Sequence, residues 1–70
     1  MERKEELLQE FGRKLAMLRK QKDLSVRELA AAANLDYRRV QRIEAGKVNL
    51  LFTTIMALAR ALEVNPEELL

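Results

Sequence analysis

LSVRELAAAANLDYRRVQRIEAG, residues 24–46, contains two helix beginnings in close succession. At the first, Ser25 is placed to accept a bond from the backbone N–H three residues on. Glu28 is placed to return one to the Ser25 N–H, and Leu24 and Leu29 flank this box as an apolar clasp. At the second, Asp36 is the capping residue, with Leu35 and Val40 as the clasp. Only Asn34 and Leu35 remain between the two helices, so they must pack at a steep angle. Asn34 suits the left-handed backbone that such a turn needs. The alanines at 30–33 permit close backbone approach and are read as packing.

Working outward, VNPEEL (64–69) repeats the same entrance, with Asn65 as cap, Pro66 at the first helical position, Glu68 completing the box, and Val64 and Leu69 as clasp. Upstream, Leu7, Leu8, Phe11, Leu15 and Leu18 recur at helical spacing, with charges between them. The segmentation predicts helices over about 3–22, 25–33, 36–45 and 52–62, and a fifth starting near 66. Asp23 stands where the chain must reverse after the first helix, and it tolerates left-handed geometry better than most residues. The expected fold is all-α, a compact bundle of five short helices in a single domain over 1–70, with 1–10 as a solvated N-terminal helical extension pointing away. The second and third helices form a helix-turn-helix.

Composition narrows the chemistry. With no cysteine and no histidine, thiolate or imidazole metal ligation is excluded, as is nucleophilic catalysis with an imidazole base. No catalytic constellation is visible, so the chain is read as a binding protein without enzyme activity, cofactor or metal. No apolar stretch is long enough to span a membrane, and the acidic first ten residues do not fit a signal peptide, so a cytoplasmic protein is expected. The net charge of +2 hides a segregation. Residues 11–22 carry five positive charges and no negative one, and 36–49 carry four positive and two negative. These segments total +7 while the remainder totals −5, a distribution that suits a polyanionic partner.

From Phe11 to Leu70 the chain resembles the lambda-repressor-like (Xre/Cro-type) helix-turn-helix DNA-binding domain. LRKQKDLS (18–25), SVRELA (25–30), IEAGK (43–47) and ALARALEVNPEEL (57–69) carry the resemblance, in the family's order and spacing. Three departures stand out. Val26 occupies the place of a phosphate-holding Gln, Asn34 that of the usual turn Gly, and KVNLLF (47–52) lacks the common Pro.

In the third helix Val40 and Ile43 share a face and turn inward, leaving Tyr37, Arg38, Gln41 and Arg42 off that face. Arg suits bidentate bonds to guanine and Gln to adenine in the major groove. The resemblance implies base-reading positions at Tyr37, Arg38 and Arg42, with Gln41 nearby. Arg39 is assigned to phosphate, together with the start of the second helix (Ser25, Arg27). Lys47, Asn49 and the start of the fourth helix (Thr53, Thr54) are expected beside the DNA backbone. The resemblance also implies that Glu44 pairs with Arg19, while Gly46 closes the third helix with positive φ. Met17, Phe52 and Met56 are read as core or interface.

The functional expectation is a sequence-specific regulator of transcription, a repressor-type homodimer on a palindromic site in double-stranded DNA. Leu50, Leu69 and Leu70 are candidate dimer contacts. Two alternatives remain: the antitoxin of a toxin–antitoxin pair, and a helical protein-interaction module without DNA binding, which Val26 favours.

Overall fold

The structure is a computed structural model that describes residues 2–70. Its elements are α1 (Glu2–Gln21), α2 (Val26–Ala33), α3 (Tyr37–Glu44), α4 (Phe52–Leu62) and a 3-10 turn at Pro66–Glu68. Among the described residues there is no strand, and the all-helical expectation holds.

The entrances form as their sequences dictate. Ser25 Oγ accepts the Glu28 N–H at 3.0 Å, and the Ser25 N–H donates to Glu28 Oε1 at 2.8 Å. Asp36 Oδ1 accepts the Arg38 N–H at 3.3 Å, and the Asn65 N–H donates to Glu68 Oε2 at 3.1 Å. The fifth helix is the one element that differs. It is a single 3-10 turn, with Glu68 N–H bonded to Asn65 O at 2.9 Å and Leu69 N–H to Pro66 O at 3.0 Å. Bonds across three residues wind the chain more tightly, and this winding carries Leu69 into the core.

All four α-helices close in the same way. A residue of positive φ follows each: Asp23 (58°), Asn34 (58°), Gly46 (73°) and Glu63 (59°). The next N–H then reaches back five residues: Leu24 to Arg19 O, Leu35 to Ala30 O, Lys47 to Arg42 O and Val64 to Ala59 O, at 2.8–3.1 Å. Leu24, Leu35 and Val64 are half-buried against the core. Each closes one helix and clasps the start of the next element, so a single side chain fixes a whole junction.

Leu15 of α1, Leu29 of α2, Val40 of α3 and Leu58 of α4 meet with no exposed surface, and Leu69 joins them at 1%. Truncating such a leucine to alanine typically costs about 2–5 kcal/mol. Met17 and Phe52 lie outside this core, at 51% and 73% exposed. Gly12 explains how α1 meets α3. A Cβ there would stand 2.4 Å from the Glu44 carbonyl oxygen and 2.6 Å from that of Ile43. Only a glycine lets the α1 backbone lie directly on the end of α3.

That approach also sets the course of the N-terminal extension. The extension begins at Met1, which is outside the described residues, and its exposed turns continue α1 without a break. A helix of this length runs about 30 Å, and with Gly12 seated on α3 its first turns must pass along the loop after α3. Glu5, Leu8 and Gln9 accordingly line a groove with residues 45–49.

Candidate nucleic-acid interface

The α3 helix has two distinct faces. Val40 and Ile43 are buried at 0% and 2% exposed. Arg38, Gln41 and Arg42 are exposed, while Tyr37 and Arg39 are half-buried. The exposed side chains are thereby presented from a backbone that the core holds from behind. The outward set carries donors suited to base edges, and no acid lies within it.

The far end of α3 is fixed by Arg19. Its Nε donates to Glu44 Oε2 at 2.7 Å, one terminal nitrogen donates to Glu44 Oε1 at 3.1 Å, and the other donates to the Leu24 carbonyl at 2.8 Å. Both side chains are about one-eighth exposed, at 12% and 13%. This forked pair is the only salt bridge among the described residues. One guanidinium thus ties together α1, the α1–α2 turn and the end of α3. Glu44 is neutralised locally, so the carboxylate does not oppose a polyanion near the basic face.

The near end of α3 is arranged differently. Arg27, in the first turn of α2, lies over the Tyr37 ring with its guanidinium carbon 3.9 Å from the centroid. Arg27 remains exposed, and no carboxylate pairs with it among the described residues. Glu28 and Asp36 are engaged as caps instead. Ser25, also exposed, accepts the Glu28 N–H and keeps its own hydroxyl hydrogen to donate.

Beyond α3, Lys47, Asn49 and Thr53 are exposed, as expected of groups able to meet a phosphate backbone. Leu51 caps α4 without a side-chain bond, so the Phe52 and Thr53 N–H groups keep their donors for an outside acceptor, while the Thr54 N–H bonds the Leu51 carbonyl. Thr54 is a correction. It is buried at 6% exposed, because a residue one turn before Leu58 lies on the inner face of α4. Leu69 is a second correction, since at 1% exposed it belongs to the core and cannot meet a second copy. Leu70 is 71% exposed and Leu50 half-buried; with Leu7, Leu8 and Ile55 they line an apolar groove of about 230 Å³.

Among the described residues no group of three or more carboxylates could hold a metal ion, and no helix is long and apolar enough to cross a membrane. The Arg27–Tyr37 stack and the Gly12 contact were not legible from spacing. Both lie across elements whose mutual angle the sequence leaves open.

Against this geometry, a helix-turn-helix family model matches residues 15–69. The chain belongs to the helix-turn-helix family. Proteins of this kind are DNA-binding transcription regulators, and a solved structure 40% identical to the chain places it among them. The restriction-modification controller protein C.AhdI from Aeromonas hydrophila has 40% sequence identity and a TM-score of 0.89. That match covers 90% of this chain and 96% of the other. The clp gene regulator ClgR from C. glutamicum has a TM-score of 0.85 over 90% of this chain and 82% of its own, at 22% identity, and so shares the fold. No curated protein matches the chain.

Proposed function

We propose that the protein regulates transcription by binding a specific palindromic operator in double-stranded DNA as a homodimer in the cytoplasm. The observation that carries this reading is the two-faced α3 helix, with Arg38, Gln41 and Arg42 exposed over buried Val40 and Ile43. In this reading Arg38, Gln41 and Arg42 read base edges in the major groove. Ser25, Arg27, Arg39, Lys47, Asn49 and Thr53 hold phosphates, positioning the helix without reading sequence. Tyr37, also expected among the base readers, has one ring face covered by Arg27.

The dimer rests on exposed apolar surface. Leu51 and Phe52 are 61% and 73% exposed at the start of α4, and Leu7 and Leu70 are 57% and 71% exposed at the nearby groove. Apolar surface gathered in this way marks an interface. A two-fold pair would set its α3 helices about 34 Å apart, in successive major grooves. The likeness to C.AhdI over nearly the whole of both chains supports a controller of restriction-modification genes as the setting.

Selection of bound sites from random DNA tests this function. Inverted repeats bound cooperatively in protein are the expected result. A single half-site bound at full affinity by a monomer would remove the dimer. Failure to enrich any sequence, with a second protein copurifying, would favour an interaction module or an antitoxin.

A further inference from the structure

The Arg27–Tyr37 stack costs the fold something that its own contacts do not explain. Arg27 is the second residue of α2, so its charge sits at the positive end of a helix dipole, where a cation is disfavoured. Tyr37 is the first residue of α3, so the stacked guanidinium is also close to a second helix start. No carboxylate neutralises Arg27 among the described residues. An exposed arginine side chain ordinarily samples many rotamers, and holding one of them carries an entropic cost. The ring offers a cation–π attraction that offsets this cost and fixes the guanidinium at 3.9 Å from its centroid.

We infer that Tyr37 is a positioning residue for DNA binding, acting through Arg27 rather than by touching a base. The inference deepens the proposed function and rests on it. With one ring face taken by Arg27, Tyr37 holds an exposed guanidinium beside the junction of α2 and α3. A guanidinium edge is suited to paired bonds with a phosphate. The stack therefore supplies a phosphate contact at the start of α2, where Val26 has no polar atom to offer. The contribution is independent of base sequence, because the phosphate is the same at every step.

The test is a double-mutant cycle read on two DNA duplexes, the selected site and a scrambled one, at several salt concentrations. Tyr37→Phe retains the ring and should bind both duplexes like the parent. Tyr37→Leu removes the ring and should weaken both equally, by about 2- to 5-fold. Arg27→Ala should weaken both and lower the slope of log affinity against log salt by about one. In the Arg27→Ala background, Tyr37→Leu should have no further effect. A role in packing alone would not make the Tyr37→Leu loss vanish in that background. Loss on Tyr37→Phe would assign the hydroxyl a contact of its own and overturn the inference. So would a Tyr37→Leu loss confined to the selected site, or one that adds fully to that of Arg27→Ala. Should Tyr37→Leu fail to fold, Tyr37→Gln takes its place in the same cycle: an equal loss on both duplexes that vanishes in the Arg27→Ala background supports the coupling, and no loss, or a loss that adds fully, overturns it. A parent protein that binds neither duplex would sink the proposed function itself, an outcome distinct from a parent that binds while the cycle fails.

Discussion

The junctions on either side of α3 are built on opposite plans. Between α2 and α3 the chain spends few residues, and Leu35 both closes one helix and clasps the next. Between α3 and α4 the same closure occurs at Gly46, but the residue that follows is Lys47, which is exposed. From there the chain runs through exposed Asn49 and Leu51 to an α4 start without a side-chain cap. The first junction is closed by its own backbone bonds and the half-buried Leu35, and the second leaves charge, donors and apolar surface exposed. The angle at which α3 is presented must be rigid if base edges are to be met within hydrogen-bond tolerance. Contacts to phosphate or to a second copy need no such precision, and under the proposed function they fall to the open junction.

Glu44 is the last fixed point before the chain opens, and its removal should break the contrast most severely. Glu44→Ala strands a largely buried arginine and is expected to cost about 3 kcal/mol, a large fraction of the stability of so small a domain. Urea denaturation measures it; an unchanged midpoint would show that the pair is solvated and that α3 is held by apolar contact alone.

Equivalent truncations on the two sides sharpen the comparison further. Leu35→Ala should destabilise by about 2 kcal/mol, the lower end for a leucine that is only partly buried. Leu51→Ala, at a site 61% exposed, should stay within about 0.5 kcal/mol. Its loss should instead appear in self-association, followed by sedimentation. Equal destabilisation by the two changes would erase the distinction between the junctions.

On DNA the contrast becomes one between reading and holding. Arg38→Ala and Arg42→Ala are expected to relax preference at particular base pairs by about 1–3 kcal/mol each. Lys47→Ala should weaken the selected and scrambled sites alike and reduce the salt slope by about one. Equal losses on both sites for Arg38 and Arg42 would mean that α3 holds phosphate only.

The smallest effect concerns helix closure. Glu63 adopts positive φ without the tolerance of glycine or asparagine. Glu63→Gly should therefore stabilise by about 0.5 kcal/mol, raising Tm by about 2–4 °C. A fall in Tm would show that the glutamate side chain compensates its own backbone.

Legibility in the sequence followed the range of the physics. The caps at Ser25 and Asp36 and the turns at Asp23 and Asn34 act within a few residues, and they stand in the structure where the sequence marks them. Glu63 carried no such mark, because its residue type does not announce a left-handed turn. The last helix was overestimated for a related reason: a cap and a proline fix where a turn starts, and not how tightly it winds. The outward positions on α3 were legible as a pattern, since inward Val40 and Ile43 leave only certain positions exposed. Thr54 was not, because α4 lacks a side-chain cap and its inner face depends on where Leu58 packs.

By itself the sequence determined the helical segments, the two-residue turn and the alternation of inward and outward positions on α3. Each of these follows from hydrogen bonds and side-chain periodicity within about one or two turns of chain. The tertiary structure decided how α1 lies on α3, through the absence of a Cβ at Gly12 and the fork of Arg19 on Glu44. It also decided that Leu69 is core while Leu70 is surface, and that Arg27 rests on Tyr37. Contacts between elements depend on the angles and distances at which helices meet, and those are set only when every apolar face is buried at once.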